Sequence, residues 1–300
     1  MTEFSNFSNA MADAAEHAGA STVRVEARRR MAASGIVWSA DGDSAIIVTA
    51  NHVVRRDEEI RVGLADGSTV PAALVGRDPS TDMAVLRAEA SDLVVPAWVN
   101  AGDLRVGSFA LALGRPGQTV QATLGVISAV GGPWRTGAGG KVDAYLQTDV
   151  LMYPGFSGGP LVLADGSVAG MNSSSLTRGA SVALPRETVE RVVSALLAHG
   201  KMKRGFLGVG IQPVHLSEAV AEQVGRSAGL LVMNVESGSP AESGGLFQGD
   251  ILLAVDGEPV QRPGDLSVLL AGDRVGQSVP VSVVRGGQIS QVDVVIGEKE

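Results

Sequence analysis

The sequence contains no cysteine, which excludes disulfide bonds, thiolate catalysis and cysteine-held zinc in this chain. Basic residues are in the minority, because 24 lysines and arginines face 32 aspartates and glutamates, giving a formal charge of −8. Nucleic acids and anionic membranes both select for basic surfaces. The charge balance therefore argues against either of them as a partner.

Long apolar runs are also missing. No stretch approaches the ~20 apolar residues that a helix needs to cross a bilayer. Residues 1–20 lack a basic start followed by an apolar segment, so no export signal is expected. The sequence has no HExxH motif, Walker loop or dinucleotide fingerprint. These features predict a cytoplasmic protein that uses no cofactor and no metal.

The residues that are abundant indicate a β-rich fold. Glycine occurs 39 times, and between residues 21 and 184 short apolar segments alternate with turns, several of them Asp-Gly pairs. Many short strands with few helices between them predict an antiparallel barrel or sandwich. Apolar stripes at helical spacing predict one helix over residues 8–17 and another over 185–197.

A short polar segment follows the second predicted helix, which Gly200 is placed to close. The remaining residues are again rich in predicted strands, with one further helix expected over residues 264–270. This pattern predicts a domain boundary near residue 200. One domain is expected over residues 1–200 and a second over residues 201–300.

Three short segments carry the side chains that serine catalysis requires, in the order His, Asp, Ser. VTANHVV presents His52 after a strand, DPSTDMAVLR places Asp82 at the head of a strand, and PGFSGGPLV surrounds Ser157 with glycines. Acyl transfer by serine needs a base, a carboxylate that orients the base, and donors for the developing oxyanion. A tight turn at the glycines allows the N–H groups of Gly155 and Ser157 to act as those donors.

Each segment has a structural interpretation when taken alone. A histidine after a strand is commonly packed or exposed, an aspartate before a strand commonly caps a turn, and GFSGG fits a plain glycine-rich loop. GFSGG also satisfies the nucleophile-elbow pattern of α/β-hydrolases. That fold requires the order serine, acid, histidine on a sheet of alternating strands and helices, which this sequence does not show. The combination and order of the three segments favour catalysis.

At these residues the sequence resembles the HtrA/Deg family of serine proteases. The family patterns T-x-x-H-V-V, D-x-x-T-D-x-A-V-L and P-G-N-S-G-G-P-L are matched by TANHVV, DPSTDMAVL and PGFSGGPL. The resemblance implies a mainly β fold, with a chymotrypsin-like double β-barrel protease domain followed by a PDZ domain. It also implies a serine endopeptidase with His52 as base, Asp82 as orienting acid and Ser157 as nucleophile.

The resemblance also implies an S1 pocket, which receives the substrate side chain on the acyl side of the cut bond. Family architecture places Met171, Asn172 and Ser173 on the strand that lines this pocket, with Leu151 near its base. None of these residues is acidic, so a basic substrate side chain would lack a counter-charge. We expect cleavage after small or medium apolar residues.

The second unit resembles a PDZ domain of the same family. Residues 204–211 are similar to its carboxylate-binding loop and following strand, and SPAESGGLFQGDILLAVDGEPV matches the family's downstream block. In such a domain backbone N–H groups hold the carboxylate of a C-terminal peptide, which adds to the sheet as a strand. The implied peptide-binding residues are Phe206, Leu207, Gly208, Val209, Ile211, Leu266 and Leu270. A β-rich domain without a ligand is the alternative.

The function that the resemblance implies is ATP-independent degradation of unfolded or damaged proteins by a homotrimer. Phe4 and Phe7 are candidate trimer contacts or, alternatively, cap their own barrel. A catalytically silent scaffold that binds peptides is the alternative function. Because many relatives carry an export signal or anchor, the cell envelope or periplasm is the alternative to a cytoplasmic location.

Two residues beside the nucleophile depart from the family pattern. Phe156 stands where asparagine usually precedes the serine, and Tyr153 replaces another common asparagine. A phenylalanine can order this loop only by burying its ring. Phe156 is therefore predicted to pack inward, beneath the loop.

Overall fold

The computed structural model describes residues 2–177, 179–203, 205–270 and 274–298. Arg204, at the start of the expected carboxylate-binding loop, lies outside these ranges. The chain forms two compact units, Met1–Met202 and Lys203–Glu300. Within the described ranges, no helix combines the length and the apolar character that a membrane crossing requires.

The first barrel is built from six antiparallel strands. They are β1 (Thr22–Glu26), β2 (Ala33–Asp41), β3 (Ser44–Ala50), β4 (Ile60–Gly63), β5 (Thr69–Asp78) and β6 (Met83–Ala88). The order around the barrel is β1-β2-β3-β6-β5-β4, and pairing of β1 with β4 closes it. Alternate side chains point inward, as strand geometry requires, and Val25, Ile47 and Leu86 are among those that fill the interior.

The second barrel also has six strands. They are β7 (Phe109–Gly114), β8 (Gln121–Gly131), β11 (Tyr145–Thr148), β12 (Pro160–Leu163), β13 (Val168–Ser173) and β14 (Ser181–Leu184). The order is β11-β14-β13-β12-β7-β8, and a small hairpin of β9 (Trp134–Arg135) and β10 (Lys141–Val142) is inserted after β8. Ile127, Leu146 and Leu161 lie in its core.

A separate apolar cluster joins the two barrels. Ile36 and Met83 from the first barrel pack in this cluster with Val168, Met171 and Leu184 from the second. The cluster fixes how the loops at the ends of the two barrels face each other. The predicted mainly β architecture with a chymotrypsin-like pair of barrels is confirmed.

Two helices flank the barrels. α1 (Glu3–Gly19) begins after Thr2, whose hydroxyl accepts a hydrogen bond from the N–H of Ser5. α2 (Arg186–His199) ends at Gly200, which has a left-handed φ of 70°. Both predicted helices are present. α1 is longer at each end than residues 8–17, because the cap at Thr2 starts it earlier and Ala18 and Gly19 continue it beyond His17.

The second unit contains a six-stranded sheet. Its strands are β16 (Val209–His215), β17 (Ala228–Val235), β18 (Ile251–Val255), β19 (Glu258–Pro259), β20 (Ser278–Arg285) and β21 (Gln288–Val295). β15 (Gly205–Phe206) pairs with β22 (Gly297–Glu298), and the helices are α3 (Glu218–Val224), α4 (Pro240–Ser243) and α5 (Pro263–Leu269). α5 confirms the helix predicted over residues 264–270 to within one residue.

Candidate active site

His52 and Asp82 are brought together by the loops that follow β3 and precede β6. A single 3-10 turn, Asn51–Val53, begins where β3 ends and carries His52 at its centre. Asp82 adopts a left-handed φ of 59° directly before β6. The Asn51 N–H donates to the Asp82 carbonyl at 2.9 Å, and the His52 N–H donates to Asp82 Oδ1 at 2.8 Å. Backbone contacts thus fix both residues before their side chains interact.

The side chains of His52 and Asp82 form a second link, with His52 Nδ1 2.7 Å from Asp82 Oδ2. The Ser173 hydroxyl donates to the same oxygen at 2.5 Å. Because an ionised carboxylate can only accept hydrogen bonds, Nδ1 carries the proton and Nε2 keeps a free lone pair. This is the tautomer in which a histidine can act as a base towards a neighbouring hydroxyl.

The charge of Asp82 is maintained inside the protein. Only 5% of the residue is exposed. Burial opposes ionisation but is outweighed, so the pKa of this carboxyl lies below its ordinary value. Hydrogen bonds from His52, Ser173 and Ser175 lower the pKa of Asp82.

Ser157 lies in the loop between β11 and β12, on the second barrel. Gly155 and Gly158 on either side have left-handed φ values of 96° and 87°, a conformation that glycine adopts without strain. The Ser157 carbonyl accepts from the Ser34 N–H at 3.3 Å, which ties the loop to the first barrel. Throughout the described ranges, the N–H groups of Gly155 and Ser157 donate to no protein acceptor. They are free to bind an oxyanion.

Phe156 holds this loop from beneath. Its ring is fully buried in the second barrel's core, and it meets the ring of Tyr153 edge-on at a centroid distance of 5.8 Å. A Cβ added to Gly114 would come within 2.6 Å of the Phe156 ring, so glycine is needed there. The predicted inward packing of Phe156 is confirmed.

Ser157 and His52 open onto one pocket of about 250 Å³. The other residues that line it are Arg28, Val53, Met152, Tyr153, Pro154, Gly155 and Ser174. None of them is acidic, and Arg28 is basic. The pocket therefore offers no counter-charge to a basic substrate side chain.

In the second unit, the loop before β16 presents a second candidate binding site. Gly208 has a left-handed φ of 80°, and in the described part of the chain the N–H groups of Leu207 and Gly208 donate to no protein acceptor. β16 lies at one end of the sheet order and α5 packs against it. This loop, the edge strand and the helix are the parts that we expect to hold a C-terminal peptide as an added β-strand.

Side chains near this loop supply an apolar lining. Leu207 and Leu266 are buried in the core of the second unit, and Val209, Ile211 and Leu270 are partly buried against it. Phe206 is half-buried in β15. All seven residues expected to bind a peptide therefore lie within this one region of the unit.

Comparison with protein families identifies both units. Residues 33–171 match the description "Trypsin-like peptidase domain", and residues 205–296 match "PDZ domain". The first match includes His52, Asp82 and Ser157. The predicted PDZ fold of the second unit is confirmed.

Relatives and solved structures agree with this assignment. A solved structure of the HtrA-type protease AlgW with a tripeptide is 32% identical, covers 97% of each chain and has a TM-score of 0.72. The chain belongs to the HtrA family of serine proteases. The crystal structure of a serine endoprotease from Yersinia pestis is 30% identical, with a TM-score of 0.73 and coverage of 97% of this chain and 98% of that one.

Curated HtrA-type relatives are longer than this chain. A "Probable periplasmic serine endoprotease DegP-like" of Ectopseudomonas mendocina is 39% identical over 270 residues, which are 88% of this chain and 56% of the relative. The corresponding protein of Pseudomonas fulva is also 39% identical, over 88% of this chain and 55% of its own length. The chain thus spans about half the length of the curated relatives it matches.

None of the residues expected to line the S1 pocket of this HtrA-type chain is among those that line the 250 Å³ pocket beside Ser157. Met171 is buried in the cluster between the barrels, Asn172 donates to the Pro160 carbonyl at 2.8 Å, and Ser173 binds Asp82. Leu151 is 59% exposed and does not line the pocket beside Ser157. β13 remains part of the closed barrel up to Ser173, and Ser174, the next residue, lines that pocket. The assignment of the four residues to S1 stays a prediction.

Two site residues were missed by the sequence reasoning. Ser174 lies with its Oγ 3.0 Å from Ser157 Oγ, and Ser34 donates from its Oγ to the Gly155 carbonyl at 2.6 Å. The sequence signal available for Ser174 was the run of three serines that follows Met171 and Asn172. Ser34 had no local signal, because its partner lies 121 residues away.

Proposed function

We propose that this chain is a serine endopeptidase in which residues 1–200 form the protease domain and residues 201–300 the PDZ domain. His52 is the general base, Asp82 orients it, and Ser157 is the nucleophile. The observation that carries the proposal is the contact of 2.7 Å between His52 and the buried Asp82, with His52 opening onto the same pocket as Ser157. A histidine with only a structural role would not require an ionised carboxylate to fix its tautomer, whereas a general base does.

The reaction follows from these positions. Ser157 Oγ attacks the scissile carbonyl carbon while its proton passes to His52 Nε2. The carbonyl oxygen becomes an oxyanion that the N–H groups of Gly155 and Ser157 bind. The leaving amine takes the proton from His52, and an acyl ester remains on Ser157. Water, deprotonated by His52, then hydrolyses that ester and restores the serine.

We propose unfolded or damaged proteins as substrates, cleaved without ATP after small or medium apolar residues. The uncharged pocket wall and the positive charge of Arg28 support this choice. The PDZ domain captures C-terminal segments through Leu207, Gly208 and β16. Support for peptide capture comes from AlgW, a member of the same family, whose structure contains a tripeptide.

Assembly and location are also part of the proposal. We favour a homotrimer in which Phe4, 79% exposed, meets a neighbouring subunit. Phe7 packs on Phe109 of its own barrel at a centroid distance of 4.8 Å and therefore serves as a cap. The relatives' names favour the periplasm, the alternative location, and lend no support to the cytoplasm.

Casein digestion tests the reaction. The wild-type chain digests denatured casein and is labelled at Ser157 by a fluorophosphonate, whereas Ser157→Ala does neither, because loss of such a nucleophile lowers kcat on the order of 10⁶-fold. Ser91→Ala, which changes an exposed serine of the same unit, is the matched control. A wild-type chain that binds peptides but neither digests nor labels is the scaffold of the alternative function.

A further inference from the structure

Arg115 is a buried arginine at the end of β7, only 6% exposed. Its guanidinium donates to three main-chain carbonyls. Nε reaches the Thr22 carbonyl at 2.7 Å, Nη1 the Gln118 carbonyl at 2.7 Å, and Nη2 the Gly19 carbonyl at 2.8 Å. One side chain thereby fastens the end of α1, the start of β1 and the turn after β7.

This arrangement is unusual for a buried charge. Among the residues that the structure describes, no carboxylate forms an ion pair with Arg115. Burial, and next the positive charge of Arg24, lower the pKa of Arg115 from its ordinary value. The negative end of the α1 dipole at Gly19 gives partial compensation. Burying a charge without an ionic partner costs free energy of folding. We therefore asked which function Arg115 could serve at this position.

The backbone of Arg115 leads directly to the nucleophile loop. The Arg115 N–H donates to Ser34 Oγ at 2.7 Å, and Ser34 Oγ donates to the Gly155 carbonyl at 2.6 Å. The next residue, Pro116, packs on Gly155 so closely that a Cβ on this glycine would lie 2.6 Å from Pro116 Cβ. A hydrogen-bonded chain and a packing contact therefore run from Arg115 to Gly155.

We propose that Arg115 is a positioning residue for the oxyanion hole, acting through Ser34 and Pro116 on the peptide unit of Gly155. The guanidinium anchors residues 115 and 116 against three fixed carbonyls. Those two residues hold Gly155 with its carbonyl turned towards Ser34 and its N–H left free. The inference rests on the proposed endopeptidase function, because it assigns a role within that reaction.

The direct test is Arg115→Met in the full chain, assayed with an apolar peptide substrate. We expect kcat to fall about 10- to 100-fold with KM changed less than about twofold, because a displaced oxyanion donor weakens only the transition state and complete loss of one lowers kcat about 10²- to 10³-fold. A peptide boronate, which mimics the tetrahedral state, should lose affinity in parallel. Arg115→Lys should recover part of kcat, since its ammonium can still reach a carbonyl.

Arg24→Met is the matched control. It removes a partly buried guanidinium of the first barrel, one whose partners are Glu26 and Thr69 and not the nucleophile loop. We expect its kcat to stay within about twofold of wild type. A cooperative unfolding transition, followed by circular dichroism, verifies that each variant is folded.

Ser34→Ala provides a second route if Arg115→Met fails to fold. It cuts the link between the Arg115 N–H and the Gly155 carbonyl, and we expect the same selective loss of kcat. In the double variant the two losses should not add, because both act through one path. Folded single variants with wild-type kcat and boronate affinity overturn the inference while leaving the endopeptidase function intact. A wild-type chain that neither cleaves nor labels overturns both.

Discussion

The hydroxyl of Ser174 lies 3.0 Å from the hydroxyl of Ser157, and the Ser174 N–H approaches the same oxygen at 3.4 Å. Across the described residues, no hydrogen bond joins Ser157 Oγ to His52 Nε2. Ser157 therefore rests against a neighbouring serine, and in the proposed mechanism its hydroxyl must turn away from Ser174 to pass its proton to His52.

Ser174→Ala should make Ser157 more reactive. The variant removes a hydrogen bond that competes with His52, and a net hydrogen bond is worth about 0.5–1.5 kcal/mol. We expect the second-order rate of fluorophosphonate labelling to rise about 2- to 12-fold. Ser181→Ala, which loses a hydroxyl bond to the Val150 carbonyl instead, should label at the wild-type rate. A slower reaction of Ser174→Ala would show that this hydroxyl assists catalysis.

Ser173→Ala should destabilise the protein in a pH-dependent way. The hydroxyl helps to keep the pKa of Asp82 below its ordinary value, so its contribution is present above the unfolded-state pKa of about 3.9 and is lost as the pH falls through the folded-state pKa. We expect a loss of about 1.5–3 kcal/mol at pH 7, typical of a bond to a charged group. Urea unfolding at pH 7 and near pH 3 checks this, because the difference between variant and wild type should shrink at the lower pH.

Phe156 should support both the stability and the rate. Phe156→Ala leaves a cavity beneath the loop, so we expect the free energy of unfolding to fall by about 3–5 kcal/mol, with lower kcat. Phe156→Asn, which restores the family's usual residue, should change kcat several-fold while placing an amide in an apolar site. Urea titration and steady-state kinetics test both. A kinetically silent Phe156→Ala would contradict the role assigned to the ring.

The cleavage products should show apolar residues on the acyl side of the cut bond, with very few arginines or lysines. The pocket has no acidic residue and includes Arg28, which repels a basic side chain. Arg28→Ala should raise the share of basic sites, whereas Arg30→Ala, an exposed neighbour, should not. Mass spectrometry of a casein digest measures these shares. A majority of basic residues with the wild-type chain would refute the assignment of the pocket.

Peptide capture by the second unit should depend on a free carboxylate. Using the full chain with Ser157→Ala, we expect an apolar C-terminal peptide to lose about tenfold or more of its affinity when it is amidated, because the N–H groups of Leu207 and Gly208 lose a charged acceptor. Gly208→Ala should abolish binding, since its Cβ would meet Ser239 at 2.3 Å. Isothermal titration distinguishes these results from equal binding of acid and amide.

Much of the architecture could be predicted because it depends on local pattern. Short segments of the sequence contain the strand alternation, the apolar stripes of the helices and the helix end at Gly200. The order of His52, Asp82 and Ser157 can also be read directly from the sequence. The catalytic roles of these three residues stay predictions. The burial of Phe156 could also be predicted from the sequence, because a phenylalanine ring beside Ser157 can order its loop only by packing inward.

The missed features depend on contacts between distant parts of the chain. Arg115 meets Gly19, 96 residues earlier, and its N–H meets Ser34 across 81 residues. No window of sequence contains both partners, so neither bond could be foreseen. That Ser174, and not Ser173, lines the pocket beside Ser157 also depends on distant contacts. Where β13 leaves the barrel depends on its neighbours β12 and β14, and that point lies after Ser173.

His52 and Asp82 lie on the first barrel and Ser157 on the second, so neither barrel contains all three proposed catalytic residues. The last strand of the first barrel ends at Ala88, so this part of the chain contains the proposed base and its acid but not the proposed nucleophile. The last strand of the second barrel ends at Leu184, beyond Ser157. Under the proposed roles, peptide cleavage requires both barrels, so a growing chain would gain activity only once this strand has closed the second barrel.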